Sequence, residues 1–487
     1  MNLKDANALR QGILSINPDV SHRATEPPTP PEIYTPPHHI SALNPDNSLV
    51  VGIRGVGKSF WAGALGDKIA RQVTADSFPE LALDRYIVAF GFTGFEGREA
   101  PSPETLQQYA VDPESARLFW RIVVFLAFAR AAKLDVPETF RDAIAAFSDS
   151  EDREAIMRRA DKALSTQNQR LLLVFDALDT LSTNWPRLRM LTKGLLEVTY
   201  AMRSYRSLRM KLFLRPEQLD DPAVGFTDLS KLKAGKIDLS WDDVDLYGLF
   251  FTRLANEQTS RKAFEEVLSR VRIAIPKSKL FKIPSSLARN ADTQERVFIQ
   301  IAGQYMGADH RKGKTYTWIP GHLADGFRMV TPRSFLTALR KAAEVSVPAE
   351  TRVLTVDGIK EGLRAASRVR VDQLKEEYKW IELALIPLAG LRVPCSENEI
   401  TNRWLHTKTA NNIEIEAAEK GYLAPSEMPA IGDDKTTPKS QVRERGLLAT
   451  LFKIGVLEPR PDGRINMPDI FRIGADIIGR GRVAPEG

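Results

Sequence analysis

Apolar runs alternate with helix-length amphipathic segments from residue 48 to about residue 240. Four of these runs have the length and aliphatic content of buried strands: SLVVGI (48–53), RYIVAFGF (85–92), RLLLVFDAL (170–178) and RMKLFLR (209–215). Between them, segments 58–73, 115–134 and 187–205 repeat their apolar residues at helical spacing. Continuous apolar strands that alternate with helices predict a mostly parallel sheet with helices on both faces, a three-layer α/β/α fold.

Other patterns flank this α/β core. Residues 1–47 begin with a predicted short helix and continue into TEPPTPPEIYTPPHHISALNPDN (25–47), whose seven prolines predict an extended arm without a helix of its own. The arm is either a flexible leader or a segment that crosses the nucleotide site. Residues 241–350 predict a helical lid, and residues 351–487 predict a C-terminal domain that ends in a helix, a strand, a Pro-Asp-Gly turn and a strand.

The segment VVGIRGVGKSF (50–60) carries the strongest chemical signal, because it fits the phosphate-loop pattern G-x-x-x-x-G-K-[ST]. In such a loop the glycines expose successive N–H groups to anionic oxygens. Lys58 is then expected to reach the β- and γ-phosphates, and the Ser59 hydroxyl to ligate Mg²⁺. The predicted nucleotide-binding residues are Gly52, Arg54, Gly55, Val56, Gly57, Lys58, Ser59 and Phe60.

A phosphate loop also needs an acid for the metal ion at the end of a second strand. The run LLLVFDALD (171–179) supplies Asp176 after five apolar residues, and Asp179 three positions further on. Asp176 is the predicted Mg²⁺ residue, and Asp179 is the predicted residue that orients the attacking water. The alternative is that Asp176 caps the next segment and Asp179 is a solvated loop acid.

With these residues in place, the chain resembles the STAND branch of the AAA+-like P-loop ATPases, which includes NACHT, KAP and archaeal-type ATPases. The resemblance covers about residues 48–487 and implies ATP as the nucleotide and Asp179 as the catalytic acid. RMKLFLRPEQL (209–219) looks like the sensor strand, with Arg215 facing the γ-phosphate, and VTPRSFLTALRKA (330–342) resembles the lid segment, with Arg333 as a second phosphate contact. The ending GVLEPRPDGRINMPDIFRIG is similar to a winged helix. No glutamate follows Asp176 directly, which departs from the pattern of adjacent acids.

Positive charge is concentrated in two places, in a chain of net charge +6. Residues 187–211 hold seven Lys/Arg against the single acid Glu197. This run is either a solvated helix face or the source of an arginine finger, Arg203 or Arg206, for the site of a neighbouring subunit. Residues 435–482 hold ten Lys/Arg and five acids, so a winged helix there could grip DNA or pack against a partner.

Composition excludes several other classes. The longest clear apolar run, IVVFLAFA (122–129), is far shorter than the ~18 residues of a membrane span, so we expect no membrane partner. A single cysteine, Cys395, and no signal-like start favour the cytoplasm. No acceptor-substrate pattern supports a metabolic kinase.

The sequence therefore predicts a slow Mg²⁺-dependent ATPase that acts as a nucleotide-controlled switch. The switch would drive homo-oligomer assembly or partner signalling, for example in bacterial stress or phage defence. The alternative is a DNA-binding ATPase of the origin-recognition type that uses its C-terminal winged helix.

Overall fold

A computed structural model describes residues 1–18, 27–95, 100–274, 282–346, 352–428, 442–479 and 483–484. The chain divides into two compact units: the sheet unit, residues 21–240, and the helical unit, residues 1–20 together with 241–487. The helical unit begins with α1 (Leu3–Ser15) and resumes after the sheet unit. The finer division at residues 47 and 350 stays a prediction.

The sheet unit contains five strands, and one or more helices lie in the chain between each strand and the next. Its strands are β1 (Leu49–Val51), β2 (Tyr86–Phe92), β3 (Arg170–Phe175), β4 (Leu208–Leu214) and β5 (Ile237–Asp238). Its α-helices are α2 (Ile40–Leu43), α3 (Lys58–Gly66), α4 (Lys68–Ser77), α5 (Pro103–Tyr109), α6 (Pro113–Ala131), α7 (Phe140–Ala146), α8 (Ser150–Thr166), α9 (Trp185–Ala201), α10 (Pro216–Asp220) and α11 (Leu229–Lys233).

The five strands form one sheet in the order β2-β3-β4-β1-β5, and every neighbouring pair is parallel. This arrangement confirms the predicted α/β class. Because β4 lies between β1 and β3, the segments that follow these three strands meet at the same edge of the sheet. That edge is where the predicted phosphate loop and both predicted acids lie.

Helices cover both faces of the sheet. On one face α6 packs on α9, and the indole N–H of Trp120 donates to the Leu191 carbonyl at 3.0 Å. Leu171 and Leu173 belong to the same buried cluster as Trp120. The alternate side chains of β3 point to the opposite face, where α3 packs on β2, β3 and β4. The predicted three-layer architecture is therefore confirmed.

Some predicted elements of the sheet unit were wrong in detail. The segment 58–73 forms two helices, because Asp67 is extended and its side chain accepts from the N–H groups of Ile69 and Ala70, which starts α4. The helices α7 and α8 were not predicted. α8 buries only a narrow stripe that includes Met157 and Leu164 and is otherwise charged, so its apolar periodicity is weak.

The proline-rich arm was predicted to have no helix of its own, and this is wrong for its described residues, 27–47. It contains 3₁₀ turns at Pro30–Glu32 and Pro37–His39 and then α2. Proline is tolerated at the first positions of a helical turn, where its missing N–H would have no helical acceptor. The arm's first two residues, 25 and 26, lie outside the described residues.

The helical unit continues after residue 240 with further helices and very short strands. These are α12 (Asp243–Asn256), α13 (Arg261–Arg270), α14 (Ser285–Arg289), α15 (Ala291–Ala302), α16 (Thr315–Leu323), α17 (Pro332–Val345), α18 (Val356–Glu377), α19 (Ile381–Leu385), β6 (Arg392–Val393), α20 (Glu397–His406), α21 (Thr409–Lys420), α22 (Val442–Lys453), β7 (Glu458–Pro459), β8 (Ile465–Asn466), α23 (Asp469–Arg472) and β9 (Ile478–Gly479). None of the helices in the described part of the chain has both the length and the apolar character needed to cross a membrane.

In the C-terminal part, the structure differs from the secondary structure predicted from the sequence in two places and agrees with it in one. The patterns at 357–366 and 370–386 predict two helices, whereas α18 runs unbroken to Glu377. The polar stretch 407–440 contains α21, and its residues 429–440 lie outside the described residues. The predicted ending is confirmed, since α22 is followed by β7 and β8, which pair antiparallel around the Pro-Asp-Gly turn.

Candidate nucleotide site

The predicted phosphate loop joins β1 to α3. Gly55 and Gly57 have φ of +81° and +104°, backbone conformations that only glycine adopts without strain. Gly52 sits close under the loop, since a Cβ there would come within 2.6 Å of Val56 Cγ1. No side chain caps the N-terminus of α3, so its first N–H groups and its dipole are directed at the loop. The backbone therefore has the form of an anion cradle.

Lys58 lies folded over this loop. Its ammonium donates to the Gly52 carbonyl and, at 3.2 Å, to the Ile53 carbonyl. The pKa of Lys58 is lowered to about 8, mainly by burial and next by the nearby Arg215 guanidinium, while Asp179 and Asp176 oppose the shift. Among the described residues the Lys58 ammonium has backbone carbonyls as its hydrogen-bond acceptors and no ion pair, so it is well suited to an anionic ligand.

Asp176 follows the last residue of β3 and is buried, with 4% of its surface exposed. Its carboxylate lies near the Ser59 hydroxyl, and its backbone N–H donates to the Phe92 carbonyl at 3.0 Å. Burial raises the pKa of Asp176 above its ordinary value, although the nearby Ser59 hydroxyl opposes this shift. A hydroxyl and a carboxylate near each other are the hard oxygen donors that Mg²⁺ prefers, so this pair fits the predicted metal site.

Asp179 lies one turn beyond Asp176, in the 3₁₀ turn Leu178–Thr180. The turn is started by Ala177, which has a φ of +54°. The Asp179 carboxylate forms an ion pair with Arg215, the residue that follows β4, and Arg215 is 8% exposed. The sequence analysis predicted that Asp179 and Arg215 both lie near the γ-phosphate, but it did not predict the ion pair between them.

Gln218 is a residue of this site that the sequence analysis missed. Its side chain is buried, accepts from the Arg215 backbone N–H at 2.9 Å and donates to the Leu178 carbonyl at 2.9 Å. It therefore ties the turn that carries Asp179 to the start of α10. The signal was present, because a Gln three residues after the cap position is the spacing of a capping box.

The remaining predicted nucleotide-binding residues differ in how far they are buried. Val56 is buried, whereas Arg54 and Phe60 are half-buried at the surface of the loop and of α3. Behind α3, the Trp61 indole N–H donates to His39 Nδ1 at 3.1 Å, and His39 Nε2 bonds the Ser240 carbonyl at 2.7 Å. Burial lowers the pKa of His39 to about 3, so the ring is neutral and its Nε2 carries the proton.

Lys211 anchors the second half of the arm. It is fully buried on β4, and its ammonium donates to the carbonyls of Ala42, Asn44 and Asn47 at 2.8, 3.0 and 2.8 Å. Three donors therefore meet three acceptors. The arm thus lies packed on the sheet unit and ends at the strand that leads into the phosphate loop.

Three further arginines were predicted to contact phosphate, and the contact predicted for Arg333 stays a prediction. Arg333 belongs to the helical unit, in the first turn of α17, which the Thr331 side chain caps. Arg203 and Arg206 are exposed and precede β4, so they lie at the edge of the sheet opposite to the phosphate loop. Neither can reach the nucleotide site of its own chain, and their predicted role in a neighbouring subunit stays a prediction.

Comparison with known proteins gives only remote likenesses. No family model and no curated protein matches the chain. Among solved structures, the chain is similar to the Aeropyrum pernix ORC2 protein in its ADPNP–ADP complexes, at 13% identity and a TM-score of 0.40, over 90% of this chain and 93% of that one. It is also similar to the Aeropyrum pernix ORC1 protein in complex with DNA, at 15% identity and a TM-score of 0.31, over 94% and 95% of the two chains. Likenesses of this size do not show family membership.

Proposed function

We propose that this protein is a Mg²⁺-dependent ATPase of the AAA+-like P-loop group. The observation that carries the proposal is the closeness of Ser59, at the start of α3, to the buried Asp176, after β3. It joins the two halves of a phosphate and metal site that lie more than a hundred residues apart in the sequence. The positive-φ glycines and the carbonyl-bound Lys58 support the same proposal.

In the proposed reaction each group of this chain has one task. The loop N–H groups and Lys58 bind the phosphates, and Ser59 and Asp176 hold Mg²⁺, which neutralises charge on the phosphate oxygens when it is bound. Asp179 orients the attacking water, and Arg215 lies close enough to Lys58 and Asp179 to contact the γ-phosphate. Arg333 is proposed as a second phosphate contact, and the arm as the segment that contacts adenine, in line with the resemblance.

The test of nucleotide binding is the affinity of a fluorescent ATP analogue in the presence of Mg²⁺. Lys58→Ala removes a charge-assisted contact and is expected to weaken binding at least about tenfold. The matched control is Lys68→Ala, an exposed lysine at the start of α4, which should bind as the wild type does. Competition with GTP tests the preference for adenine. Wild-type affinity in Lys58→Ala would overturn the assignment.

Two uses of the ATPase were predicted, a switch for assembly or partner signalling and a DNA-binding ATPase of the origin-recognition type. The arrangement of the C-terminal residues favours the second use. The helices α20, α21 and α22 pack on one another, and the β7–β8 hairpin follows them directly. We propose that these elements form a winged helix, which would place α22 in a groove and the hairpin on the phosphates of DNA.

The ion pairs of the proposed winged helix indicate which of its cations could contact DNA phosphates. Three described cations of α22 are already paired with acids: Arg443 with Glu414, Arg445 with Glu397 at 3.0 Å, and Lys453 with Glu427 at 2.6 Å. Phosphate contacts through this helix would have to displace such pairs. Of the two hairpin arginines that flank the exposed turn, Arg464 is also ion-paired, with Asp462 at 2.6 Å, whereas Arg460 forms no ion pair with a described residue and is the better candidate.

The test of DNA binding is the salt dependence of affinity for a short duplex. Replacement of Arg460 and Arg464 by alanine should weaken binding and reduce the log–log salt slope by up to about two, since each phosphate contact contributes about 0.9. The double alanine variant of Arg311 and Lys312, two exposed cations of the helical unit, is the matched control. If the wild type with ATP does not bind duplex DNA at low salt, the switch that signals through a partner is the better proposal.

A further inference from the structure

A second cavity lies in the sheet unit, at the edge of the sheet opposite to the phosphate loop. It is enclosed by α6, by α8 and by the segment around Tyr205 that precedes β4, and its volume is about 470 Å³. Small-molecule pockets span about 300–1,000 Å³. Because β4 has seven residues, the cavity and Arg215 are separated by about 23 Å at a rise of ~3.3 Å per residue. The cavity is therefore separate from the nucleotide site.

Three arginines and two acids line this cavity, and both acids are already engaged. Glu154 pairs with the exposed Arg158 at 3.3 Å. Asp161 accepts the backbone N–H of Ser207 at 2.7 Å. The lining therefore carries one more cation than it has acids, and neither acid forms an ion pair with the two arginines deeper in the cavity.

Those two arginines are Arg121 on α6 and Arg153 on α8. Arg153 is buried, and its Nη1 donates to the carbonyls of Phe147 and Ser148, both at 2.5 Å. Arg121 is half-buried and makes no hydrogen bond or ion pair with any residue that the structure describes. The two guanidinium groups repel each other, and the pKa of Arg153 is lowered first by burial and then by Arg121. Asp149 and Glu154 oppose this lowering only in part, and neither guanidinium is ion-paired with a described carboxylate, so an anionic ligand between them would relieve their repulsion.

The wall beside these arginines is apolar. Phe125 follows Arg121 by one turn of α6, and Met157 follows Arg153 by one turn of α8; both side chains line the cavity and are buried. The ring of Tyr205 completes this wall. A ligand that satisfies both parts of the cavity needs an anionic group for the arginines and an apolar body for the wall.

We propose that this cavity binds a small molecule that carries a phosphate or carboxylate group on an apolar body. The anionic group contacts Arg121 and Arg153, and the apolar body lies against Phe125 and Met157. The site is separate from the phosphate loop, so its ligand can bind while the nucleotide is in place.

The test uses phenyl phosphate and benzoate as probes, with benzyl alcohol as the uncharged comparison. Binding is measured by titration calorimetry on the full chain with Mg²⁺ and saturating ADP, which occupies the phosphate loop. Arg121→Met should weaken binding of the anionic probes at least tenfold, and Arg121→Lys should weaken it less. Arg117→Met is the matched control, because Arg117 lies one turn earlier on α6 and pairs with Glu197 at 3.4 Å outside the cavity.

Two further measurements separate this proposal from a folding defect and from the nucleotide site. Since Arg121 repels Arg153, the Arg121→Met variant should unfold at a temperature no lower than that of the wild type. A lower unfolding temperature would mean that Arg121 makes a stabilising interaction in the folded protein, which contradicts the proposal. Lys58→Ala should still bind the anionic probes, whether or not the ATPase proposal holds. The cavity proposal fails if benzyl alcohol binds as well as phenyl phosphate, if Arg121→Met and Arg117→Met bind alike, or if neither anion binds at millimolar concentration.

Discussion

The Arg215 guanidinium is ion-paired with the Asp179 carboxylate at the edge of the sheet where the phosphate loop lies. Only 9% of the Arg215 side chain is exposed, against 33% for Asp179, so the arginine is the buried and fixed partner. The pair lies close enough to Lys58 that both charges influence its pKa. An incoming γ-phosphate would compete with Asp179 for Arg215 and would leave the carboxylate able to accept a hydrogen bond from water.

Asp179→Asn should therefore separate binding from turnover. The amide keeps the size of the side chain but cannot act as a base, so we expect hydrolysis to fall about 10²–10⁴-fold. ATP affinity should stay within a few-fold of the wild type. Steady-state phosphate release and ATP titration measure the two quantities, with Asp84→Asn, an exposed acid at the other edge of the sheet, as the control. Turnover equal to that of the wild type would mean that a different acid carries the step.

Arg215→Met should also slow hydrolysis, and its effect should not add to that of Asp179→Asn. Residues that act as a pair show coupling in a double-mutant cycle, because the second substitution removes an interaction that the first has already lost. The measurement is kcat for both single variants and for the double variant. If the two losses multiply, the ion pair has no part in catalysis.

Lys211 predicts a specific pH dependence of stability. Burial lowers its pKa from 10.5 to about 7, with Asp46 as the charged group that opposes the shift. Between pH 7 and pH 10.5 the unfolded chain then binds more protons at this residue than the folded chain does. The free energy of unfolding should consequently rise with pH in that window, by at most about 1.4 kcal/mol per pH unit for one proton.

The check is urea unfolding of the wild type and of Lys211→Met at several pH values from 6 to 10. The difference in stability between the two proteins should grow with pH, because only the wild type gains from the release of this proton. Curves that stay parallel across the window would show that Lys211 keeps its proton in the folded state, held by its three carbonyl acceptors.

Gly362 permits the close contact of α17 and α18 in the helical unit. A Cβ at this position would collide with the Ala338 carbonyl, and one at Gly358 would come within 2.6 Å of the Ala342 carbonyl. We expect Gly362→Ala to destabilise the protein by about 1–3 kcal/mol through overpacking. Gly321→Ala is the matched control, since no atom lies within 4 Å of its added methyl, and helix propensity alone should make it neutral or mildly stabilising. Thermal and urea unfolding measure both effects.

Arg203 and Arg206 lie at the wrong edge of the sheet to serve their own nucleotide site, so any catalytic role requires a second subunit. If that role exists, the wild type should assemble with a non-hydrolysable ATP analogue, because nucleotide favours the assembled state. The Arg203/Arg206 double alanine variant should then assemble less and hydrolyse ATP more slowly. Mass photometry with and without the analogue measures assembly. A wild type that stays monomeric while it hydrolyses ATP at a concentration-independent specific rate excludes a shared site.

The amino-acid sequence by itself determined the features that depend on neighbouring residues. The apolar runs and the helices between them fixed the α/β class, since burial on both faces requires continuous apolar strands. The glycines of the phosphate loop and the acid after LLLVF identified the candidate site, because the turn and the strand end that they mark are set by neighbouring residues. The patterns failed where a helix buries only a narrow stripe, as in α8, or where prolines open a turn, as in the arm.

Only the tertiary structure decided which distant side chains meet. The position of β4 between β1 and β3 places Arg215 against Asp179, 36 residues earlier in the chain, and no local pattern contains that pairing. The same holds for Lys211, whose burial depends on the arm folding back over β4, and for Arg121 and Arg153, which come together only when α6 packs on α8. The sequence does not distinguish a basic residue that is solvated from one that is ion-paired or buried. Its charge acquires a function only from the neighbours that the fold supplies.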